Sequence, residues 1–415
     1  MSRMRILLSS IAGTGLEFYD FMLYAVFADR IGSVFFPAGD FSHFQAGWIT
    51  FILAYVSRPF GATVFGYIGD RMGRKKALLL TISCMGVPTF LIGVLPGYET
   101  LGIAAPIILM SCRLVQGLCT GGEYNGSAIF ALEHMGKHYP GMSGGMITGA
   151  SVLGALGATG MGIFCSLDGM PDWTWRLSFI LGALISLFGL YIRRNVSESP
   201  AFEKMKEAHG GGPIIRSPLK DALLRHRRGA TLTLLIGLLN GTLSYTLYKF
   251  INLYLTTYFG LSTNLAFKYT SIGIGTFVIC APLWGFVLDK IGGQRMLKIA
   301  CLLSVCCAVP LFFLLQELTT TSFILSQLML GICVASIAGP EHAFIQRLFP
   351  IQDRYSGVSF SFSCGMGIGA GVCPPLMKWL VEMTGNFYSP ALIVIVAALA
   401  CFIALATYKG PFYKT

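Results

Sequence analysis

The chain has 415 residues, of which 54% are hydrophobic and 12% charged, with a mean hydropathy of +0.68. A soluble domain carries about 25% charged residues, so a freely water-exposed globular protein is excluded. The formal net charge of +11 could suggest a nucleic-acid partner, but the basic residues gather on one side of the apolar segments, which makes the excess a signal of topology.

A bilayer core is about 30 Å thick and is crossed by about 20 mostly apolar helical residues. On that measure the first half has spans near Ile6–Phe27, Gln45–Ile68, Ala77–Leu95, Ala104–Leu132, Gly141–Phe164 and Trp175–Tyr191. The second half has them near Thr231–Tyr258, Phe267–Leu288, Met296–Leu315, Ser322–Gln346, Tyr355–Val381 and Tyr388–Thr407. About twelve helices follow, split evenly by one polar stretch. The expected organisation is a helical bundle over 1–192, a basic connecting loop over 193–230 and a second bundle over 231–415. An all-α membrane protein is the only option, because lipid offers no partners to open strands and the alternating period of a barrel is missing.

With the N-terminus inside, one membrane side collects residues such as Arg71, Arg74, Lys75, Lys76, Lys137, Arg193, Arg194, Arg216, Arg225, Arg227, Arg228, Lys290 and Arg295. The other side keeps only Arg30, Arg176, Lys268 and Lys378. This bias places both termini in the cytoplasm and holds the connecting loop near anionic headgroups. The first span carries Glu17 and Asp20, unlike the plain apolar core of a cleaved signal peptide. The 12 cysteines lie almost wholly within spans, without metal-ligand spacing or a disulfide framework, and read as packing residues. No metal, cofactor or nucleic-acid partner is expected.

Two turns repeat. Gly66-Tyr67-Ile68-Gly69-Asp70-Arg71-Met72-Gly73-Arg74-Lys75-Lys76 returns, weakened, as Gly285-Phe286-Val287-Leu288-Asp289-Lys290-Ile291-Gly292-Gly293-Gln294-Arg295. Gly66, Asp70 and Gly73 align with Gly285, Asp289 and Gly292 at one offset of about half the chain, as two parallel repeats require. Asp70, Arg71, Arg74 and Asp289 are therefore candidate gating charges, with Asp70 expected to pair with Arg74 or with a neighbouring helix end near Glu133.

Charges within spans need a partner or a wet cavity, since each costs at least about 2.5–3.5 kcal/mol at the bilayer centre. Glu17 and Asp20 lie on one helical face, and either could carry a proton, because two adjacent acids seldom both ionise in a low dielectric. Arg58 precedes a proline. Arg113, Gln116, Thr120, Glu123 and Ser127 form a stripe about 21 Å long at 1.5 Å per residue. Thr242, Tyr245, Lys249, Asn252 and Thr256 repeat the pattern in span seven, and Glu341 and His342 lie near the end of span ten. Arg113 could instead be a static tie between helices, and His342 a packing residue. Lys249 could clasp a substrate carboxylate or close an outer gate by pairing with Asp20. The candidate sets are Asp20, Glu17 and Arg113 for proton coupling, and Arg58, Arg113, Gln116, Glu123, Tyr245, Lys249 and Asn252 for substrate.

The segments Gly15-Leu16-Glu17-Phe18-Tyr19-Asp20-Phe21, Ser57-Arg58-Pro59-Phe60-Gly61, Gly69-Asp70-Arg71-Met72-Gly73-Arg74-Lys75 and Arg113-Leu114-Val115-Gln116-Gly117 resemble the metabolite:proton symporters of the major facilitator superfamily. So do Trp175-Arg176, Glu198-Ser199-Pro200-Ala201-Phe202, Phe349-Pro350 and Arg354-Tyr355-Ser356-Gly357. The resemblance covers nearly the whole chain. It implies two pseudo-symmetric six-helix bundles that alternate between inward- and outward-open states, and a small organic acid or zwitterion as substrate, with protons as the coupling ion. The expected form is a monomer in the cell (inner) membrane. The turn at Gly292-Gly293-Gln294-Arg295 departs from the family's usual Gly-Arg-Arg, which weakens the gate expected there. An exporter or antiporter would use the same scaffold, whereas a receptor or an enzyme finds no output domain, nucleophile–base pair or nucleotide loop.

Overall fold

The computed structural model describes residues 3–37, 43–136, 138–167, 169–208 and 217–413. Lys137 and Arg216, expected on the basic side, lie outside the described residues, as does the middle of the connecting loop. All regular structure among the described residues is helical. The helices are α1 (Arg3–Val26), α2 (Ala28–Phe35), α3 (His43–Met72), α4 (Arg74–Val94), α5 (Tyr98–Leu101), α6 (Ala104–Met135), α7 (Pro140–Cys165), α8 (Trp175–Arg194) and α9 (Pro200–Ala208). They continue with α10 (Pro218–Arg225), α11 (Arg227–Tyr245), α12 (Ile251–Phe259), α13 (Thr263–Ile291), α14 (Gly293–Gln316), α15 (Thr320–Ile345), α16 (Arg354–Gly371), α17 (Cys373–Thr384) and α18 (Pro390–Thr407). Eleven helical stretches among the described residues are long and apolar enough to cross a membrane. The second predicted span falls within α3, a 30-residue helix.

The chain divides into two compact units, one of Met1–His134 with Ala150–Leu219 and the other of Met135–Gly149 with Lys220–Thr415. The start of α7 groups with the second unit and its remainder with the first. Within the first unit the aromatic core gathers Phe21, Tyr24, Phe27, Phe35, Trp175 and Phe179. Helices α3 and α6 meet backbone to backbone: a Cβ at Gly117 would lie 2.1 Å from the Ala54 carbonyl oxygen, and one at Gly121 would lie 2.0 Å from that of Arg58. This small-xxx-small face lets the two helices that carry Arg58 and Arg113 approach closely.

The repeated turn has a backbone reason. Gly73 and Gly292 sit at the junctions α3–α4 and α13–α14 with φ of 113° and 89°, a region that a Cβ disfavours. Elsewhere, helix starts are fixed by side chains: Ser262 accepts from the Leu265 amide, and Thr319 with Ser322 forms a reciprocal capping box at α15.

Three predicted elements differ from the structure. Span six extends to Arg194, which takes Arg193 out of the connecting loop and into the last turn of α8, where it is buried. Span eleven is broken at Val372 into α16 and α17, since Pro374 and Pro375 in the first turn of α17 supply no amide to the helix before them. Span seven is interrupted by a π-helical turn, Thr246–Phe250, between α11 and α12. The wider turn inserts an extra residue and rotates everything beyond it, so the expected single stripe does not hold: Thr242 turns to Cys373 of α17 and Asn252 to Thr270 of α13.

Candidate functional site

In the first unit, α1, α3, α4, α6 and α8 bring six of the predicted polar residues into one buried region: Glu17, Asp20, Arg58, Arg113, Gln116 and Glu123. The two arginines lie against aromatic rings. The guanidinium carbon of Arg58 is 4.5 Å from the Phe21 centroid and 4.3 Å from that of Tyr55. That of Arg113 is 4.9 Å from Phe21 and 4.1 Å from Tyr24. Ring faces stabilise a desolvated cation while leaving its N–H edge available. The Arg58 Nε and Nη2 atoms are buried without a hydrogen-bond partner among the described residues.

Asp20 and Arg113, grouped above as candidates for proton coupling, are joined by a chain of side chains: Arg113 Nη1 donates to Gln116 Oε1 at 2.9 Å, and Gln116 Nε2 donates to Thr89 Oγ1 at 2.9 Å. The Thr89 hydroxyl lies 3.2 Å from Asp20 Oδ2, which also accepts from Ser186 Oγ at 3.1 Å. Tyr24, Tyr55 and Arg58 are among the neighbours of Arg113. A Cβ at Gly182 would lie 2.2 Å from Asp20 Oδ1, so α8 closes tightly over the carboxyl. Neither Thr89 nor Ser186 stood out in the sequence, since single hydroxyl residues in apolar spans carry no pattern.

Glu17 and Glu123 part company. Glu123 ion-pairs with Arg193 and accepts from the Thr81 hydroxyl, and Arg193 further reaches Ser127 Oγ at 3.4 Å. A Cβ at Gly13 would lie 2.0 Å from Arg193 Nη2, so the small residue makes room for the guanidinium. Glu123 is thus held by a partner that the sequence had placed in the loop. Both Glu17 oxygens are buried, with the Thr120 hydroxyl close by and Glu123, Arg58 and Arg193 as charged neighbours.

The first repeated turn forms a closed ionic cluster. Arg74 lies 3.4 Å from Asp70 and 3.4 Å from Glu133, with all three side chains fully buried, and it donates to the Gly69 carbonyl at 2.8 Å. The segment after α8 seals the cluster. Glu198 accepts from the Lys75 amide at 3.2 Å, Ser199 donates to Glu133, and the Phe202 ring lies 5.0 Å from the Arg74 guanidinium. Arg71, expected to share in this gate, instead lies over Tyr67, with its guanidinium carbon 4.6 Å from the ring centroid. The Trp175-Arg176 motif works at the other end of α4, where Arg176 donates to the Leu95 carbonyl at 2.7 Å and to that of Gly93 at 3.2 Å.

In the second unit the copy of the turn is built differently. Asp289 accepts from the Gly141 and Met142 amides at 2.8 and 3.0 Å, capping the start of α7 through backbone rather than through an arginine. Lys249 lies within the π-helical turn, near which Tyr245 and Tyr248 make an edge contact at 6.2 Å. Asn252 accepts from Thr270 at 2.9 Å. Glu341 is fully buried and accepts from Asn240 at 2.7 Å, and Asn240 in turn accepts from Ser244 at 2.8 Å. Asn240 was not singled out in the sequence.

The sequence matches the profile of the Major Facilitator Superfamily over residues 6–350. It is 32% identical over 423 residues to the "Inner membrane metabolite transport protein YhjE" of Escherichia coli (strain K12), covering 98% of this chain and 94% of that one. It is 31% identical over 417 residues to the proline/betaine transporter of the same organism, covering 96% of this chain and 81% of the relative. Among solved structures, the proton:xylose symporter XylE superposes with a TM-score of 0.76 at 18% identity, over 96% of this chain and 94% of that one. With a buried polar core enclosed by membrane-length helices, and with near-full-length similarity to known carriers, the chain belongs to the Major Facilitator Superfamily and is a multi-pass secondary transporter.

Proposed function

We propose that this transporter takes up a small organic acid or zwitterionic metabolite together with protons, by alternating access of two pseudo-symmetric six-helix bundles. The observation that carries this reading is the pair Arg58 and Arg113, two buried guanidiniums around Phe21, with Arg58 N–H donors unspent and the carboxyls of Glu17 and Asp20 in the same unit. A substrate carboxylate supplies the acceptors that such arginines need, and bidentate recognition suits a guanidinium. A buried acid that is neutral in one state and charged in another is a proton carrier by its chemistry. The relatives' names support the substrate class: proline/betaine, shikimate and, more broadly, metabolite transporters. The xylose relative is a proton symporter, which supports the coupling ion. The reading includes a monomer with both termini in the cytoplasm.

The test is uptake by purified protein in liposomes under an imposed proton gradient, with a panel of carboxylates, zwitterionic amino acids, betaines and permanent organic cations. Accumulation of a carboxylate-bearing compound that collapses with the gradient is the expected result. Accumulation driven by the opposite gradient would mark an exporter or antiporter. Transport confined to cations would overturn the carboxylate site.

A further inference from the structure

In the second unit, the α10–α11 junction and the segment after α18 enclose a cavity of ≈ 310 Å³ whose lining includes Arg225, Arg227, Arg228, Lys409 and the backbone of Gly229 and Gly410. Its walls are fixed. The Tyr413 amide donates to the Arg347 carbonyl at 2.7 Å, Tyr408 donates to the Pro411 carbonyl at 3.1 Å, and the Phe412 ring makes tilted contacts with Phe344 and Tyr408.

The charge in this cavity is unbalanced. Asp221 takes up Arg225 at 3.1 Å, and Asp353 lies 3.9 Å from His226. Arg227, Arg228 and Lys409 have no ion pair among the described residues. The first turn of α11 contains no acidic residue, and its start has no side-chain cap. The uncapped start of α11 thus lies in the same lining as two arginines, an arrangement that repels cations and is relieved by an anion.

Depth identifies which anion. A helical stretch long and apolar enough to cross a membrane begins at Arg227 and another ends at Thr407, so the cavity sits at the ends of two such stretches, where headgroups are met. Leu224 and Phe412, both exposed, directly neighbour the lining residues Arg225 and Pro411 in sequence and add apolar surface there. We propose that this cavity binds the phosphate headgroup of an anionic phospholipid, with Arg227, Arg228 and Lys409 as its cationic ligands and the start of α11 as its amide ligand. A soluble phosphate shares the charge chemistry but gains nothing from the flanking apolar surface.

The experiment uses the full-length protein in neutral detergent, titrated with dioctanoyl phosphatidylglycerol, dioctanoyl phosphatidylcholine or inorganic phosphate, and reads the melting temperature and lipid retention by native mass spectrometry. Saturable stabilisation by the phosphatidylglycerol alone is expected. The triple variant Arg227→Gln, Arg228→Gln, Lys409→Gln should weaken it by about a hundredfold, at about fivefold per charge, and Arg227→Lys with Arg228→Lys should largely retain it. If the triple variant fails to fold, Lys409→Gln alone, beyond the last span, carries the test with about a fivefold loss. Phosphatidylglycerol binding unchanged in the variants, or equal stabilisation by phosphatidylcholine, overturns the site. Equal stabilisation by inorganic phosphate overturns the lipid assignment.

Discussion

Arg58 and Arg113 share one aromatic ring: the Phe21 centroid lies 4.5 Å from the guanidinium carbon of Arg58 and 4.9 Å from that of Arg113. Two like charges in a low-dielectric setting repel, so their convergence on one ring makes sense around an anion. Arg58→Gln should raise the apparent substrate constant by about 10- to 100-fold, the worth of a hydrogen bond to a charged group. Arg58→Lys should rescue little, because an ammonium lacks the planar fork. Initial-rate uptake over a substrate series checks both, and an unchanged constant in both variants removes Arg58 from the site.

Asp20 is held by Thr89 and Ser186 hydroxyls and is linked to Arg113 through Thr89 and Gln116. Asp20→Asn preserves the shape but cannot exchange a proton. Uphill accumulation should vanish while counterflow exchange survives. Proton-driven uptake at the wild-type level would pass the carrier role to Glu17.

The triad Asp70, Arg74 and Glu133 predicts non-additivity. Asp70→Asn and Glu133→Gln should each destabilise, since each leaves a fully buried Arg74 with one carboxylate fewer. A double-mutant cycle on thermal stability should return a coupling of about 0.5–3 kcal/mol. Turnover should fall more than substrate affinity in both single variants. Strict additivity would show that the three charges do not act as a unit.

Lys249 sits in the π-helical turn that interrupts its span, a local irregularity often found at functional sites. Lys249→Gln should raise the apparent substrate constant far more than it lowers the maximal rate. The reverse pattern, with equal affinity and slower turnover, would assign it to a gate.

His226 gives a pH dependence outside the spans. Burial holds its folded-state value below the ordinary 6.5; Asp221 opposes this and Arg225 reinforces it. Asp353 at 3.9 Å and the Tyr413 hydroxyl at 3.4 Å also face the ring. The unfolded chain takes up a proton as the pH falls through 6.5 while the folded protein resists, so this contribution is intact above that value and lost below it. The drop in melting temperature between neutral and mildly acidic buffer should shrink in His226→Gln. An identical drop in the variant would show that His226 does not contribute.

The sequence by itself determined the membrane class, most span positions, the repeated turn and the identity of the buried charges. Apolar length and the cost of intramembrane charge are local properties, readable residue by residue. Pairing was legible only where partners are close in sequence or tied to a motif: Asp70 with Arg74 lies within one turn, and Glu133 was the expected neighbour. Arg193 was out of reach, because its position near a helix end made it look like loop until packing set it against Glu123, a residue on another helix. The stripe of span seven failed for a related reason. Periodicity assumes a uniform helix, and the π-helical turn at Thr246–Phe250 shifts the face that follows it. The route from Asp20 to Arg113 through Thr89 and Gln116 likewise needed three helices in place. Which buried charges are satisfied and which are left for a ligand is decided by packing between helices distant in sequence, and only the tertiary structure holds that information.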